Sequence, residues 1–243
     1  MKVSKTWERC VIETKDTVIK RELSESELVR GMTGKIIYPF WSKERLQNEA
    51  ATLRFIAENT SIPVPTCRVY TAEGLYHLET KRIANGILLA DVERHFRTAA
   101  IQAVEEQMNT IILPQLRSLR RKVIGSVDAT IPVFPPQRVY GLDRRYWPQI
   151  SSATETFVMC HNDLGAQNLF VNPSKNFEIT GIIDWEFSGY FPSYFELPLW
   201  REFEWEGGKK MYDDARPRAL EFFRLKSENL QDNRFVTRHN DLI

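Results

Sequence analysis

His161, Asn162, Asp163 and Asn168 sit within the stretch "MCHNDLGAQNLFVNP", residues 159–173, whose flanks are apolar runs that read as buried strands. Polar side chains in such a place must be hydrogen-bonded or put to use, because an unpaired buried polar group is costly. The following run "NLFVN" continues through "NPSKN" into "FEITGIIDWEFSG". A hairpin built this way carries Asn168 at one end and Asp184 at the other. Two oxygen-bearing side chains meeting there suit a hard cation such as magnesium, which takes one or two carboxylates with water and phosphate oxygens. Asp163 is then left free to orient a hydroxyl. Metal-assisted hydrolysis through His161, Asp163 and Asp184 is a rival reading of the same residue types. Taken singly, each residue also fits an ordinary turn or cap; their order and spacing together single them out.

Those residues need a scaffold. Residues 9–23, "RCVIETKDTVIKREL", carry two β-branched runs around "ETKD", a hairpin pattern with Lys20 at the end of its second strand. The next segment, "SESELVRGMTGKIIYPFW", has no sustained period and reads as a loop or insertion. Ser42 offers an N-cap for "KERLQNEAATLRFIAEN", where Leu46, Ala50, Leu53 and Ile56 form the apolar face of a helix. Glu49 falls on or beside that face, where its carboxylate needs a cation. A second hairpin is expected around "TAEG", in "SIPVPTCRVYTAEGLYHLETKRI".

After Asn85-Gly86 the character changes to helical runs, with Pro114 as a kink or boundary. We therefore expect a border at residues 84/85, with an N-terminal unit over 1–84 and a larger one over 85–243. Residues 125–155 hold four prolines and several aromatics and read as a long irregular segment, and the C-terminal "NRFVTRHNDLI" is expected to fray. Its His-Asn-Asp echo lacks a downstream partner.

The bulk properties narrow the function classes. The chain has 243 residues, 33 basic and 32 acidic, for a net charge of +1. No global field favours nucleic acid or an anionic membrane, so neither is expected as a partner. Cys10, Cys67 and Cys160 are odd in number and lack CxxC spacing, which argues against a disulfide framework or a structural zinc. Cys160 is expected to pack as a small hydrophobe. With neither a signal-peptide pattern nor an apolar run long enough to span a bilayer, a cytoplasmic protein is expected.

The parts now fit one template. An aspartate, an asparagine five residues on, and a second aspartate at the end of a following apolar strand are the parts of a phosphoryl-transfer site. "HNDLGAQN" matches H-x-D-x-x-x-x-N, "IIDWE" stands in place of D-F-G, and "TVIK" resembles V-A-I-K. Lys20 is the candidate to hold nucleotide phosphates and Glu49 its partner; Lys35 in "GKIIY" is a rival lysine without a preceding paired strand.

The chain resembles the aminoglycoside phosphotransferase-related branch of the protein-kinase-like fold, particularly its fungal members. The stretches "VIKREL", "NEAATLRFIAENTSIPVP", "LETKRIANG", "RSLRRKVIGSVD", "CHNDLGAQNLFVNP" and "GIIDWEFSGYFPSYFELPLW" carry the resemblance, in family order, over roughly residues 18–200. It implies a two-lobed α+β fold, with a small, shortened sheet-plus-helix lobe and a larger, mainly helical one. It also implies ATP with Mg2+ as donor and a small-molecule hydroxyl as acceptor. By position, Asp163 is the implied catalytic base, His161 the brace of its loop, and Asn168 and Asp184 the magnesium ligands. Lys20 and Glu49 are the implied phosphate pair, and Glu79 to Lys81 in "HLETKRI" the adenine-facing hinge.

One departure stands out. Only nineteen residues precede Lys20 and none is glycine, so the strand–loop–strand lid over the phosphates is expected to be shortened or missing. That would weaken transfer, and a kinase-like pseudoenzyme that binds nucleotide or metabolite is the alternative. Gly31 and Gly34 offer an improvised lid. Glu196, Glu202, Glu204 and Glu206, with Trp200 and Trp205, form either an acceptor-binding patch or a helix surface.

Overall fold

The computed structural model describes residues 1–140, 147, 149–154 and 156–228. The final "NRFVTRHNDLI" and part of the irregular segment lie outside the described residues.

A five-stranded antiparallel sheet opens the chain. Its strands are β1 (Lys2–Lys5), β2 (Cys10–Glu13), β3 (Thr17–Arg21), and later β6 (Cys67–Ala72) and β7 (Leu75–Lys81), in the order β1-β2-β3-β7-β6. The expected hairpins are β2–β3 and β6–β7; β1 is an addition that "KVSK" did not announce, because its side chains are all exposed and lack an apolar alternation. Between β3 and the first helix, β4 (Val29–Arg30) and β5 (Ile36–Ile37) form a two-stranded ribbon in the segment read as a loop.

Helix α1 (Ser42–Asn59) buries Leu46, Ala50, Leu53 and Ile56, the spacing that places one apolar stripe on a helix. Ser42 does not cap it. Trp41 holds the N-cap position in the left-handed region, while the Ser42 hydroxyl donates to the Glu8 carbonyl 3.3 Å away, on the turn between β1 and β2. Leu46 and Ala50 pack on Leu78 of β7, so the sheet face that carries Leu78 is the one α1 covers. In the pleat, Val11 pairs with Lys20 and Lys20 with Leu78, which puts these side chains on that same covered face.

After β8 (Ile87–Leu88), α2 (Arg97–Gln107), a π-turn (Met108–Ile112) and α3 (Leu113–Ser118) run nearly end to end. Pro114 is the second residue of the last segment, at the boundary between the π-turn and α3. Then come β9 (Arg120–Arg121), a single turn α4 (Gln137–Tyr140), and β10 (Phe157–Cys160), buried along its whole length. The hairpin β11 (Leu169–Asn172)–β12 (Glu178–Ile182) turns through Pro173–Lys175, where the Asn172 side chain accepts from the Ser174 amide at 3.0 Å. Strand β13 (Gly189–Phe191) pairs with β10, and α5 (Trp205–Glu228) closes the described chain.

One core joins Leu53 and Ile56 of α1 to the α2–α3 stretch, to β10–β13 and to Phe222 and Phe223 of α5. The three cysteines are free thiols, and burial pushes that of Cys160 well above its usual range, as an inert packing residue requires. Among the described residues no helix is long and apolar enough to cross a membrane.

Candidate active site

Pairing of β11 with β12 brings Asn168 and Asp184 together. Leu169 faces Ile182, and one step outward the Ile183 amide donates to the Asn168 carbonyl at 3.0 Å. Asp184 follows at once, in the left-handed region at φ 66, a conformation Asp tolerates better than most residues. That turn ends the strand and leads to the one-turn helix Trp185–Phe187.

The loop before β11 is wired for rigidity. The His161 ring is fully buried; its Nε2 lies 2.9 Å from the Ile183 carbonyl and its Nδ1 accepts from the Asp163 amide at 3.2 Å. With one nitrogen on an acceptor and the other on a donor, the ring is held neutral, and burial pulls its pKa down to about 4. His161 thus links the loop to the end of β12, and its buried ring has no surface from which to exchange a proton with a ligand. Asn168 Nδ2 donates to the Asp163 carbonyl at 2.8 Å and to Asp163 Oδ2 at 3.1 Å. Burial pushes the Asp163 carboxyl up to about 7, against hydrogen bonds from Tyr212 and Asn168 that favour the ionised form.

On the other side, Lys20 Nζ lies 2.7 and 2.8 Å from the two oxygens of Glu49 and 2.7 Å from Asp184 Oδ1. The Glu49 side chain is 2% exposed and that of Lys20 15%, so the helix-face carboxylate has its cation. Burial works against the Lys20 ammonium, but Asp184 and Glu49 raise its pKa on balance. Burial alone would also raise Asp184; Lys20 and Arg9 hold it down to about 2. Lys35, the rival, is exposed on the β4–β5 ribbon, and the amides of Gly31 and Gly34 close that ribbon's own turn onto Lys35 and Gly31 carbonyls, both at 2.9 Å. Both glycine amides are thus spent within the ribbon.

The nineteen residues before Lys20 do contain a strand, a turn and a strand. The turn, Thr6–Arg9, is short and glycine-free. Thr6 N–H donates to the Arg9 carbonyl at 2.9 Å, and Thr6 Oγ1 accepts from the amides of Glu8 and Arg9, both at 3.2 Å. Of its side chains, Glu8 and Arg9 reach inward while Thr6 and Trp7 stay exposed. Arg9 lies two residues before Val11, hence on the same sheet face as Lys20, and its Nη2 donates to Glu186 Oε2. Arg45 of α1 approaches Glu186 at 3.4 Å and Glu8 at 3.2 Å, and Asn48 donates to the Glu186 and Ser188 carbonyls at 2.9 and 3.0 Å. The turn, α1 and the segment after Asp184 are thus one ionic and hydrogen-bonded unit.

Sequence reasoning missed Arg9, Asn48, Glu186 and Tyr212. For Arg9 a signal existed: Arg9 and Val11 alternate in register with Lys20 once the hairpin is drawn. Glu196, one of the acidic set expected as either an acceptor patch or a helix surface, instead accepts the amides of His161 and Asn162, the latter at 3.2 Å, and burial pushes its carboxyl up to about 7. The remainder of that acidic set stays apart: Glu204 pairs with Arg97 at 2.9 Å on the surface, and Glu206 and Trp205 are exposed.

The segment expected to form the hinge makes contacts of its own. The Glu79 carboxylate meets Arg68 at 2.8 Å, the Lys81 amide donates to Thr66 and the Arg82 amide to Asp16. The amides of Lys81 and Arg82 are therefore committed to the protein.

The oxygens left over define what the site can hold. Asn168 spends its amide nitrogen on Asp163 and Asp184 gives Oδ1 to Lys20, which leaves one amide oxygen and one carboxylate oxygen on the paired ends of the β11–β12 hairpin. Among the described residues no cluster of three or more His, Cys, Asp or Glu could cage a metal. Two protein oxygens suit a magnesium ion that arrives with phosphate oxygens of its own, the usual mode for that ion.

Comparison with known proteins gives the family and the fold. The model of the phosphotransferase enzyme family (APH) matches residues 27–198, more than half of the chain. Among solved structures, the GDP complex of wild-type aminoglycoside 2'-phosphotransferase-IIIa is 13% identical, with 95% of this chain and 94% of that one covered and a TM-score of 0.51. A thermostable mutant of aminoglycoside phosphotransferase APH(4)-Ia, in ternary complex with AMP-PNP and hygromycin B, is 12% identical, with 94% and 86% covered and a TM-score of 0.50. At such identities the likeness is one of fold, the α+β protein-kinase-like fold. No curated protein matches. The family match spans Glu49, Asp163, Asn168 and Asp184 but begins after Lys20, whose place is given by its three short contacts. On the extent of that match, the chain belongs to the phosphotransferase enzyme family.

Proposed function

We propose that the protein transfers the γ-phosphoryl group of ATP, bound with Mg2+, to a hydroxyl of a small molecule. The observation that carries this reading is the pairing of two neighbouring assemblies: Lys20 between Glu49 and Asp184, and Asp163 joined to Asn168 on the adjoining loop, close enough for the Asp184 charge to act on Asp163. The solved relatives with GDP, or with AMP-PNP and hygromycin B, are consistent with a nucleotide donor and a small hydroxylic acceptor. On this reading residues 1–84 form the nucleotide lobe and 85–243 the lobe that supplies base and acceptor site.

Each residue has a task. Lys20, fixed by Glu49, neutralises phosphate oxygens, and Arg9 adds a second positive charge from the turn above. Asn168 and Asp184 would hold the magnesium ion, which supplies charge neutralisation for the phosphates when bound. Asp163 orients the acceptor hydroxyl and takes its proton, a role that suits a carboxyl poised near neutrality. His161 and Glu196 act at one remove, by fixing the loop that aims Asp163.

The test is incubation of the full chain with labelled MgATP and a panel of amino-alcohols, sugars and other small hydroxylic compounds. A phosphorylated small molecule is expected, with transfer reduced about 10²- to 10⁴-fold by Asp163→Asn. ATP that neither binds nor is consumed, or transfer indifferent to Asp163→Asn, contradicts the reading.

A further inference from the structure

The one hydroxyl hydrogen-bonded to Asp163 among the described residues belongs to the protein itself. Tyr212, on α5, donates from Oη to Asp163 Oδ1, while Oδ2 is occupied by Asn168 Nδ2 at 3.1 Å. Gln137 Oε1 of α4 lies 3.4 Å from the same phenolic oxygen. The carboxylate thus has one oxygen tied to its own loop and the other holding an alcohol-type group, the disposition that a base needs toward its acceptor.

The phenol is not a loose surface ring. Four residues along α5, Arg216 Nε donates to the Arg138 carbonyl of α4 at 2.7 Å, and its guanidinium meets Asp213 at 2.8 Å. The first bond ties the helix turn after Tyr212 to α4, and the second holds the Arg216 side chain along α5. Holding a reactant hydroxyl on its base removes much of the entropic cost of transfer. A tyrosine hydroxyl is a chemically competent phosphoryl acceptor.

We propose that Tyr212 is an internal acceptor, so that with ATP bound and no external alcohol present the protein phosphorylates its own Tyr212. The proposal rests on the phosphotransferase reading above and adds a modification site to it. In the step, a bond forms between Tyr212 Oη and the γ-phosphorus as the bond from that phosphorus to the β–γ bridging oxygen breaks. The phenolic proton passes to Asp163, and ADP leaves with the electron pair of the broken bond. Because the phenol and the base belong to one chain, the reaction is intramolecular. An external acceptor must displace the phenol and so competes with it.

The experiment is incubation of the full chain with MgATP and no acceptor, followed by intact-mass measurement and peptide mapping, with ATP binding measured separately by thermal shift. The expected result is a single phosphate on Tyr212, formed with a first-order rate constant unchanged over a tenfold range of protein concentration. Asp163→Asn is expected to slow labelling about 10²-fold or more while ATP still raises the melting temperature. Tyr212→Phe keeps the ring and abolishes the label. ATP that binds, or phosphorylates added alcohols, without label on Tyr212 overturns the proposal alone, as does labelling that is second order in protein. ATP that neither binds nor is consumed overturns the parent reading, and the proposal with it.

Discussion

Two neighbouring aspartates of the candidate site are treated in opposite ways. Asp184 stands among cations, with Lys20 at 2.7 Å and Arg9 behind it, and is held down to about 2. Asp163 stands among neutral donors, with Asn168 and Tyr212 as its partners, and is pushed up to about 7 by burial. Burial acts upward on both; what decides the outcome is whether a positive charge lies within reach. A carboxylate that stays ionised is suited to hold a cation, and one that titrates near neutrality is suited to take a proton. Divergent environments of this kind mark how acid–base roles are divided between like residues.

The largest expected effect breaks the ionic half. Lys20→Met leaves Glu49 and Asp184 without their shared cation, and removal of one partner from a buried pair costs about 3–5 kcal/mol. Urea unfolding should show that loss, and transfer should vanish. Adding Glu49→Leu should restore much of the stability by replacing the pair with apolar packing, yet none of the transfer; recovery of both would deny Lys20 a role with substrate.

Next in size is a pH response that separates the two aspartates. The native Asp163 carboxyl binds its proton more tightly than an unfolded aspartate, so its ionisation destabilises the fold. The contribution is fully favourable below the ordinary aspartate range and is lost as pH rises through about 7. Transfer should move the other way, rising across the same interval as the base ionises. For Asp184 the stabilisation is present above the ordinary range and disappears as pH falls through about 2. Tyr212→Phe removes a hydrogen bond that favours ionised Asp163, so the midpoint of the transfer profile should shift upward. A midpoint that stays put or falls would contradict the wiring described.

A smaller effect is expected at the turn. Arg9→Ala removes one charged hydrogen bond from Glu186, which keeps Arg45 at 3.4 Å. Stability should fall by about 1.5–3 kcal/mol, and the KM for ATP should rise more than kcat falls. Reduced kcat at unchanged KM would assign Arg9 a purely structural part.

The two halves also differ in how legible they were. The Asp163 loop and the β11–β12 hairpin are local in sequence, so the span from His161 to Asp184 could be read from alternation and turn residues alone. Lys20 and Glu49 were found because a strand-end lysine and a carboxylate on an apolar helix face each need the other. The remaining contacts join distant segments: Arg9 with Glu186, Glu196 with the His161 loop, Tyr212 with Asp163. No local pattern announces such pairs, and Arg9 alone left a trace, in its strand alternation with Val11. Ser42 had the chemistry of a cap, but the Glu8 carbonyl captured its hydroxyl. The adenine hinge was placed by resemblance, and the Lys81 and Arg82 amides proved to be committed to Thr66 and Asp16.

The division of labour between the two aspartates is tested most directly by calorimetric titration of ATP, with and without Mg2+, into the native chain, Asp184→Asn and Asp163→Asn. The account predicts Mg2+-dependent binding in the native chain, its loss in Asp184→Asn and its retention in Asp163→Asn despite failed transfer. Binding that ignores Mg2+, or that survives Asp184→Asn with its Mg2+ dependence intact, would contradict it.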